Sequence, residues 1–205
     1  MNKRMNANSE TKTKFSKKLL AIAVIIIVVV AVVVSWQIYW RSWGVTKFEV
    51  VLPALSLTLV GANGQQKILN SNELAALKST TASGGYSEEG KTYVGNFTGV
   101  PLLALLDLVG GITSGDNVTV TGSDGYQITF TYQQGRGQGL NTYDPTTGAA
   151  VQPSQPLMVM VAYYCNGTSL ASDKAPLTIA LVGPQGLFTE GKYWAYFLVK
   201  IKITA

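Results

Sequence analysis

Residues 97–111 have the sequence Phe-Thr-Gly-Val-Pro-Leu-Leu-Ala-Leu-Leu-Asp-Leu-Val-Gly-Gly. Proline suits the start of a helix because its φ is already fixed near the helical value. Glycine suits the end because it adopts a left-handed conformation without steric strain. The stretch therefore predicts a helix that Pro101 opens, that runs from Leu102 to Val109, and that Gly110-Gly111 closes. Asp107 should lie on its solvent-exposed face.

Short apolar or alternating runs on either side of this helix predict β-strands, because turn residues bound them. The predicted strands are 45–52, 55–60, 117–122, 126–132, 157–164, 177–182 and 197–204. The runs that begin at 157 and 177 are almost wholly apolar, which indicates burial on both faces. The last run alternates, so Val199, Ile201 and Ile203 should share one face, opposite two lysines.

Two local motifs complete the predicted elements. Asn70 and Glu73 have the spacing of a capping box, which predicts a helix through Leu74–Lys78. Asn166-Gly167 lies between apolar runs and predicts a type I′ hairpin. Strands outnumber helices and their order is mixed, so the predicted fold class is α+β and rich in β.

The composition excludes several kinds of site. The 205 residues include one Cys and no His. A His-based catalytic triad, a His-ligated zinc or haem, an intrachain disulfide and a four-Cys zinc or iron–sulfur site are therefore excluded. Charged residues make up only 13% of the chain, about half the usual share. This composition does not indicate a nucleic-acid partner.

The net charge of +5 belongs to the N-terminal tail. Residues 1–18 contain six basic side chains and one acidic one, so the remaining chain carries ten of each. The next segment, Leu19 to Trp40, has no polar side chain before Ser35 and ends in aromatic residues. As a helix it would be about 33 Å long, enough to cross a bilayer core of about 30 Å. It predicts one N-terminal transmembrane helix.

The positive-inside rule places the basic tail in the cytoplasm and the C-terminal domain outside. The predicted single-pass protein of the cell membrane has a cytoplasmic tail (1–18), a transmembrane helix (19–40), a juxtamembrane segment (41–46) and an extracytoplasmic domain (47–205). A cleaved signal peptide is the alternative, which the long apolar run and the missing A-x-A site disfavour. Sequons make Asn96, Asn117 and Asn166 candidates for glycosylation if the host glycosylates.

Several motifs occur in a distinctive order along the chain. The Phe97–Leu102 stretch and its Leu-rich helix are followed by Asp124-Gly125-Tyr126, and Ala162-Tyr163-Tyr164 leads into Asn166-Gly167. The order ends with Ala175-Pro176-Leu177, Val182-Gly183-Pro184 and Tyr193-Trp194. Together these motifs resemble the oxidoreductase molybdopterin-binding domain of the sulfite oxidase superfamily. The resemblance covers about residues 50–203 and implies a sulfite-oxidase-type fold, with molybdopterin as the cofactor class.

One departure from this pattern concerns the metal. Catalytic members of the family hold molybdenum through a Cys thiolate upstream of the segment that matches Phe97–Leu102. Here that region, Leu77 to Tyr86, has no Cys, and the lone thiol, Cys165, falls at the start of a turn. A hydroxyl is a poor substitute for a soft thiolate, which argues against molybdenum. The family's His and Arg contacts to the pterin cannot be carried over either, since only Arg136 is basic in the central loops.

Five residues are candidates for cofactor binding, and each has a structural alternative. Gly84 and Tyr86 would line the cofactor-equivalent pocket, or lie in a solvated loop. Asp124 and Tyr126 would present a carboxylate in a cleft, or form a hairpin turn. Arg136, in the Gly-rich stretch 133–139, would grip a phosphate, or lie in an exposed flexible loop. No catalytic residue and no metal ligand is assigned.

Cys165 also has two interpretations. It could act as a redox or metal-binding thiol, or it could be a half-buried small hydrophobe beside a turn. Nothing near it in the sequence would lower the pKa of its thiol, so the second interpretation is favoured.

Three functions agree with these observations. The first is a membrane-anchored extracytoplasmic domain of this family that acts as a non-catalytic binding or accessory module for a small molecule or a protein partner. The second is a molybdopterin-dependent oxidoreductase with atypical metal ligation. The third is a structural surface domain without a ligand. The missing thiolate favours the first.

Overall fold

The structure, a computed structural model, describes residues 51–88 and 91–205. The predicted cytoplasmic tail, the transmembrane helix Leu19 to Trp40, the juxtamembrane segment and most of the predicted strand 45–52 lie outside the described residues. Within the described part of the chain, no helix is long and apolar enough to cross a membrane.

Short strands dominate the described residues, as the predicted β-rich α+β class requires. The strands are β1 (Ser56–Val60), β2 (Gln66–Asn70), β3 (Thr80–Glu88), β4 (Lys91–Pro101), β5 (Asn117–Gly122), β6 (Gln127–Thr131), β7 (Thr142–Tyr143), β8 (Met158–Cys165), β9 (Thr168–Ser169), β10 (Thr178–Val182), β11 (Phe188–Glu190) and β12 (Leu198–Thr204). The α-helices span Ser71–Ala76, Leu102–Asp107 and Tyr132–Gly135, and a 3-10 helix spans Gly191–Tyr193.

Five strands form one sheet in the order β2-β1-β12-β5-β6, with β1 and β12 parallel. The C-terminal strand β12 lies at its centre and buries Ile201 and Ile203, as its alternation predicts. The prediction is wrong for Val199, which is 37% exposed. The register with β5 shifts between Leu198 and Lys200. Such a bulge turns one residue of the strand away from the face that its neighbours share.

The second sheet has the order β10-β8-β4-β3-β11-β7, and β9 adds to β8. It also closes on itself, because Val182 of β10 pairs with Gly84 of β3. Strands β3, β4, β8 and β10 therefore form a small closed barrel. A Cβ atom at Gly84 would overlap the carbonyl oxygen of Leu181. Glycine at this position allows the two strands to approach closely enough to pair.

The helix from Leu102 to Asp107 confirms the element predicted from the 97–111 stretch, although it ends two residues early. Asp107 is exposed, as expected, and the leucines opposite it are buried. Gly110 and Gly111 both have positive φ, and the Gly111 N–H donates to the Leu106 carbonyl over 2.9 Å. These two glycines end the helix by the predicted left-handed cap.

The two other local motifs also form as predicted. Asn70 and Glu73 make a complete capping box, and the helix they start ends at Ala76, two residues before the predicted Lys78. Asn166 and Gly167 have φ values of 52° and 77°, as a type I′ turn requires. This turn reverses the chain from β8 into β9 and leads to the segment that carries Lys174.

Candidate functional site

A cavity of about 310 Å³ lies beside the hairpin of β3 and β4, and five of the twelve residues that line it are aromatic. Five parts of the chain meet there: the hairpin itself, the end of β8, the segment after β9, the start of β10, and the chain just before β12. The residues that line it are Tyr86, Thr92, Tyr93, Val94, Phe97, Cys165, Leu170, Ala171, Lys174, Thr178, Trp194 and Tyr196.

The aromatic rings of the cavity pack on one another. Tyr86 and Tyr93 are cross-strand partners in the β3–β4 hairpin, and their rings stack with centroids 4.7 Å apart. Trp194 packs against Tyr86 on one side and edge-on against Phe97 on the other, at centroid distances of 4.8 Å and 5.1 Å. The Trp194 indole N–H donates to the buried Thr189 hydroxyl over 2.8 Å. Mutual contact therefore fixes the orientation of these rings.

Lys174 brings the cavity a positive charge. Its ammonium lies 3.9 Å from the centroid of the Tyr93 ring, and 5.4 Å and 5.6 Å from those of Tyr86 and Tyr196. A cation at these distances is attracted by the negative face of each ring. Three tyrosines thus hold the ammonium at the cavity wall.

Two ionisable groups at the cavity remain neutral at physiological pH. Burial raises the pKa of the Cys165 thiol above its usual value, although the nearby Lys174 partly opposes the shift. Burial also raises the pKa of Tyr196, and its hydrogen bond with the Tyr86 hydroxyl adds to this effect. Cys165 is half-buried and free, which agrees with its interpretation as a small hydrophobe. A thiol of raised pKa is a weak nucleophile and a poor metal ligand.

Of the five residues proposed from the sequence, only Tyr86 lines the aromatic cavity. Gly84 lines a shallow neighbouring groove that shares Val94 with the cavity. The alternative of a solvated loop is wrong for both residues, because they lie in the barrel strand β3, and Tyr86 is only 2% exposed. Gly84 pairs with Val182 where the barrel closes, and there is no space for a side chain at its position.

Asp124 and Tyr126 lie in the turn between β5 and β6, outside the aromatic cavity. The Asp124 carboxylate accepts a hydrogen bond from the Tyr126 N–H, and Gly125 has a positive φ. The Tyr126 hydroxyl donates to the Lys192 carbonyl over 2.7 Å. Partial burial raises the pKa of Tyr126, and the charges of Glu88 and Asp124 contribute to the shift. These contacts agree with the hairpin-turn interpretation.

Arg136 follows a single helical turn, Tyr132–Gly135, and its guanidinium packs over the Tyr132 ring at 5.4 Å. The stretch 133–139 thus begins as a helical turn, and Gln133, Arg136, Gln138 and Gly139 are exposed, as the exposed-loop alternative expects. Thr131 and Gln134 form a capping box that starts the turn, and Gly137 is buried. The exposed Arg136 lies outside the aromatic cavity, and the backbone N–H groups behind it bond to carbonyls within the turn.

The three sequons lie at strand positions and turns. Asn96 is exposed in β4, where its amide oxygen accepts from the Ser83 hydroxyl. Asn166 is exposed in the type I′ turn, and its amide oxygen accepts from the Asn96 backbone N–H. Asn117 is half-buried at the first position of β5. Glycosylation at each of them stays a prediction.

A larger cavity, of about 520 Å³, lies beside the loop that contains Asp144. The loop is the structural turn that its sequence indicates, because the Asp144 carboxylate accepts from the N–H groups of Thr146 and Thr147. These hydrogen bonds lower the pKa of Asp144. We favour the smaller cavity as the functional site because its aromatic rings fix one another by contact and because the Lys174 ammonium gives it a positive charge. Exposed turn residues form much of the wall of the larger cavity.

The residues of the site that sequence reasoning missed are Tyr93, Lys174 and Tyr196. A hairpin register could have placed Tyr93 opposite Tyr86, because the two tyrosines are equally far from the paired strand ends Glu88 and Lys91. No local pattern marks Lys174. It reaches the cavity only because the turn at Asn166-Gly167 returns the chain to the hairpin.

The described fold is similar to the crystal structure of the sulfane dehydrogenase SoxCD from Paracoccus pantotrophus. The TM-score is 0.54, the sequence identity is 17%, and the match covers 73% of this chain and 38% of that one. The chain thus spans less than two fifths of the solved chain, and at this identity the likeness concerns the fold alone. It is consistent with the sulfite-oxidase-type fold that the sequence motifs imply. A scan against family models and a search of curated proteins give no match.

The residues present do not fit a molybdenum centre. The region upstream of Phe97, where the family places its thiolate, forms β3, and its buried glycine Gly84 has no room for a ligating side chain. Among the described residues, no three His, Cys, Asp or Glu side chains are grouped so as to hold a metal ion. The only thiol, Cys165, has a raised pKa and aromatic neighbours. This donor set does not supply the thiolate that such a metal requires.

Proposed function

We propose that the chain is a membrane-anchored extracytoplasmic module that binds a small molecule in the aromatic cavity and carries out no molybdenum redox chemistry of its own. The observation that carries this proposal is the cavity itself. Five aromatic rings that pack on one another line it together with aliphatic side chains, and Lys174 provides a positive charge. Sites for small ligands have this character: mostly apolar walls and a small number of placed polar groups.

The size of the cavity supports a small ligand. Its volume of about 310 Å³ lies at the lower end of the roughly 300–1,000 Å³ usual for ligand pockets. Tyrosine and tryptophan rings that pack on one another lose little conformational entropy when a ligand adds to the stack. A planar compound with one or two rings is therefore the size and shape that the site accommodates best.

The second candidate is a molybdopterin-dependent oxidoreductase with atypical ligation. One observation favours it: the single thiol of the chain, Cys165, lines the same cavity as the tyrosines and Lys174. The raised pKa of that thiol argues against it, since only the thiolate binds metals well. A third candidate, a structural domain without a ligand, does not account for the cavity.

We expect the full-length chain to bind the neutral two-ring compound 2-naphthamide, because its rings can pack against the partly exposed rings of Tyr93 and Tyr196 at the cavity wall. The measurement is the melting temperature, which should rise with probe concentration. The variant Ala171→Trp is the control: Ala171 is exposed at the cavity wall, so the larger side chain should fill the cavity and abolish the shift. The absence of any shift in a cooperatively melting protein would contradict the proposal.

The same preparation separates the second candidate from the first. It should come from a host that makes the cofactor, and its molybdenum and tungsten contents should be measured by mass spectrometry. We expect neither metal in stoichiometric amount. Stoichiometric metal that disappears in Cys165→Ser would establish atypical ligation by Cys165 instead.

The predicted membrane topology has its own test. The basic tail and the apolar run that follows it predict that a protease added to intact cells removes the C-terminal domain and spares a tag at the N-terminus. Immunoblots against both ends measure the outcome, and permeabilised cells provide the control, in which the tag is also lost. A C-terminal domain that is protected in intact cells would refute the extracytoplasmic placement.

A further inference from the structure

We propose that the aromatic cavity selects planar ligands that carry an anionic group, such as aromatic carboxylates, and that the Lys174 ammonium is the anchor for this group. The inference rests on the proposed function, since it names the ligand class of the same cavity. Its basis is the position of a charged group among neutral rings.

The Lys174 ammonium is held in place without an anionic partner among the described residues. Tyr93 lies directly beneath it, and Tyr86 and Tyr196 lie within 6 Å. The only ion pair within the described ranges joins Lys192 to Glu190. The ring faces attract the charge but accept no conventional hydrogen bond from it. Because no hydrogen-bond acceptor of residues 51–88 or 91–205 takes up its three N–H donors, the ammonium can offer them to a ligand.

Several of the other polar side chains of the wall are already hydrogen-bonded within the protein, and Lys174 is the one charged side chain among the described residues that line the cavity. The hydroxyls of Tyr86 and Tyr196 share a hydrogen bond, and the Thr178 hydroxyl donates to the Ala195 carbonyl over 2.9 Å. This leaves Lys174 as the polar group best placed to recognise a ligand. Its half-buried position strengthens an interaction with an anion, because the surrounding rings replace part of the water that would screen it.

Aromatic rings around a cation also form the cages that bind quaternary ammonium ligands. In this protein the side chain of Lys174 already occupies that position. A cationic ligand beside it would meet a like charge at close range, which is unfavourable. An anionic ligand uses the cavity as it stands, with its rings against the partly exposed Tyr93 and Tyr196 and its charge on Lys174. The arrangement therefore favours an anion over a cation.

The test compares two probes that differ only in charge, 2-naphthoate and 2-naphthamide, by titration of the full-length chain in a calorimeter. We expect the carboxylate to bind roughly tenfold or more tightly than the amide, since hydrogen bonds to charged groups are the strong ones. Lys174→Gln should remove this preference, and Lys174→Arg should retain much of it because the charge is kept. Lys200→Gln is the matched control, since Lys200 is an exposed lysine of β12.

The outcomes distinguish this inference from the proposed function. Equal affinities for the two probes, or a preference that persists in Lys174→Gln, would overturn the role of Lys174 and leave the binding module standing. Tighter binding of a third probe, (2-naphthylmethyl)trimethylammonium, would also overturn it in favour of a cation cage. Failure of all three probes to bind would contradict the proposed function itself. Cooperative thermal melting of both Lys174→Gln and Lys174→Arg would confirm that the two variants are folded.

Discussion

Trp194→Ala should lower the free energy of unfolding of the full chain by about 3–5 kcal/mol. Trp194 is 3% exposed and packs between Tyr86 and Phe97. Its removal leaves a void next to the existing cavity and deprives the buried Thr189 hydroxyl of its indole donor. Urea unfolding followed by far-ultraviolet circular dichroism measures the effect. A loss of this size is a large fraction of the stability of an ordinary domain.

Two further measurements separate lost packing from the lost hydrogen bond. Trp194→Phe keeps an aromatic ring but removes the N–H, so it should lose less stability than the alanine variant. Added indole should bind the enlarged cavity of Trp194→Ala and recover part of its stability, since an apolar void accepts a ligand of matching shape. A Trp194→Ala protein as stable as the wild type would contradict the packing that defines the site.

The parts of the fold that could be predicted are those that local chemistry specifies. The side chains of Asn70 and Glu73 each accept a hydrogen bond from the other residue's backbone N–H. Both residues lie within four positions of the chain, so this helix start can be predicted without any knowledge of the tertiary structure. The turn at Asn166-Gly167 is similar, because few residues adopt positive φ. Strands such as β8 and β10 are apolar on both faces and are recognisable for that reason.

Strand β3 could not be predicted because the stretch Ala-Ser-Gly-Gly (82–85) at its centre has little intrinsic tendency to form a strand. It exists because β4 pairs along its whole length and because Gly84 lets β10 approach closely. The bulge in β12 is a similar case, since its register depends on the partner strand β5. Such long-range pairings decide the structure where local preference is weak.

The candidate site could be predicted only in part for the same reason. Tyr86 lines the cavity, whereas Asp124, Tyr126 and Arg136 lie in separate turns outside it. Motifs that occur in a familiar order along a chain indicate a fold, but they do not place side chains in one cavity. The cavity depends on a cross-strand pair of tyrosines and on Lys174, which lies in the segment that follows the β8–β9 hairpin.

Gly137→Ala should lower the free energy of unfolding by about 3 kcal/mol or more, for two physical reasons. Gly137 has a φ of 78°, which strains any residue with a Cβ atom. A Cβ atom there would also overlap the carbonyl oxygen of Leu157, which immediately precedes β8. The Gly137 carbonyl accepts from the Leu157 N–H over 3.0 Å, so the two backbones cannot separate without losing this bond. Urea unfolding again measures the change.

Gly139→Ala is the matched control, because it isolates the overlap from the backbone strain. Gly139 lies in the same loop and has a φ of 65°, but no neighbouring atom lies within 4 Å of the position that its methyl group would take. Its substitution should therefore cost only the strain, about 1–2 kcal/mol. Equal losses of unfolding free energy in the two variants would mean that the loop around Arg136 is not tightly packed against Leu157. A markedly larger loss at Gly137 would mean that it is packed against the start of a barrel strand, where it cannot open to cradle a phosphate.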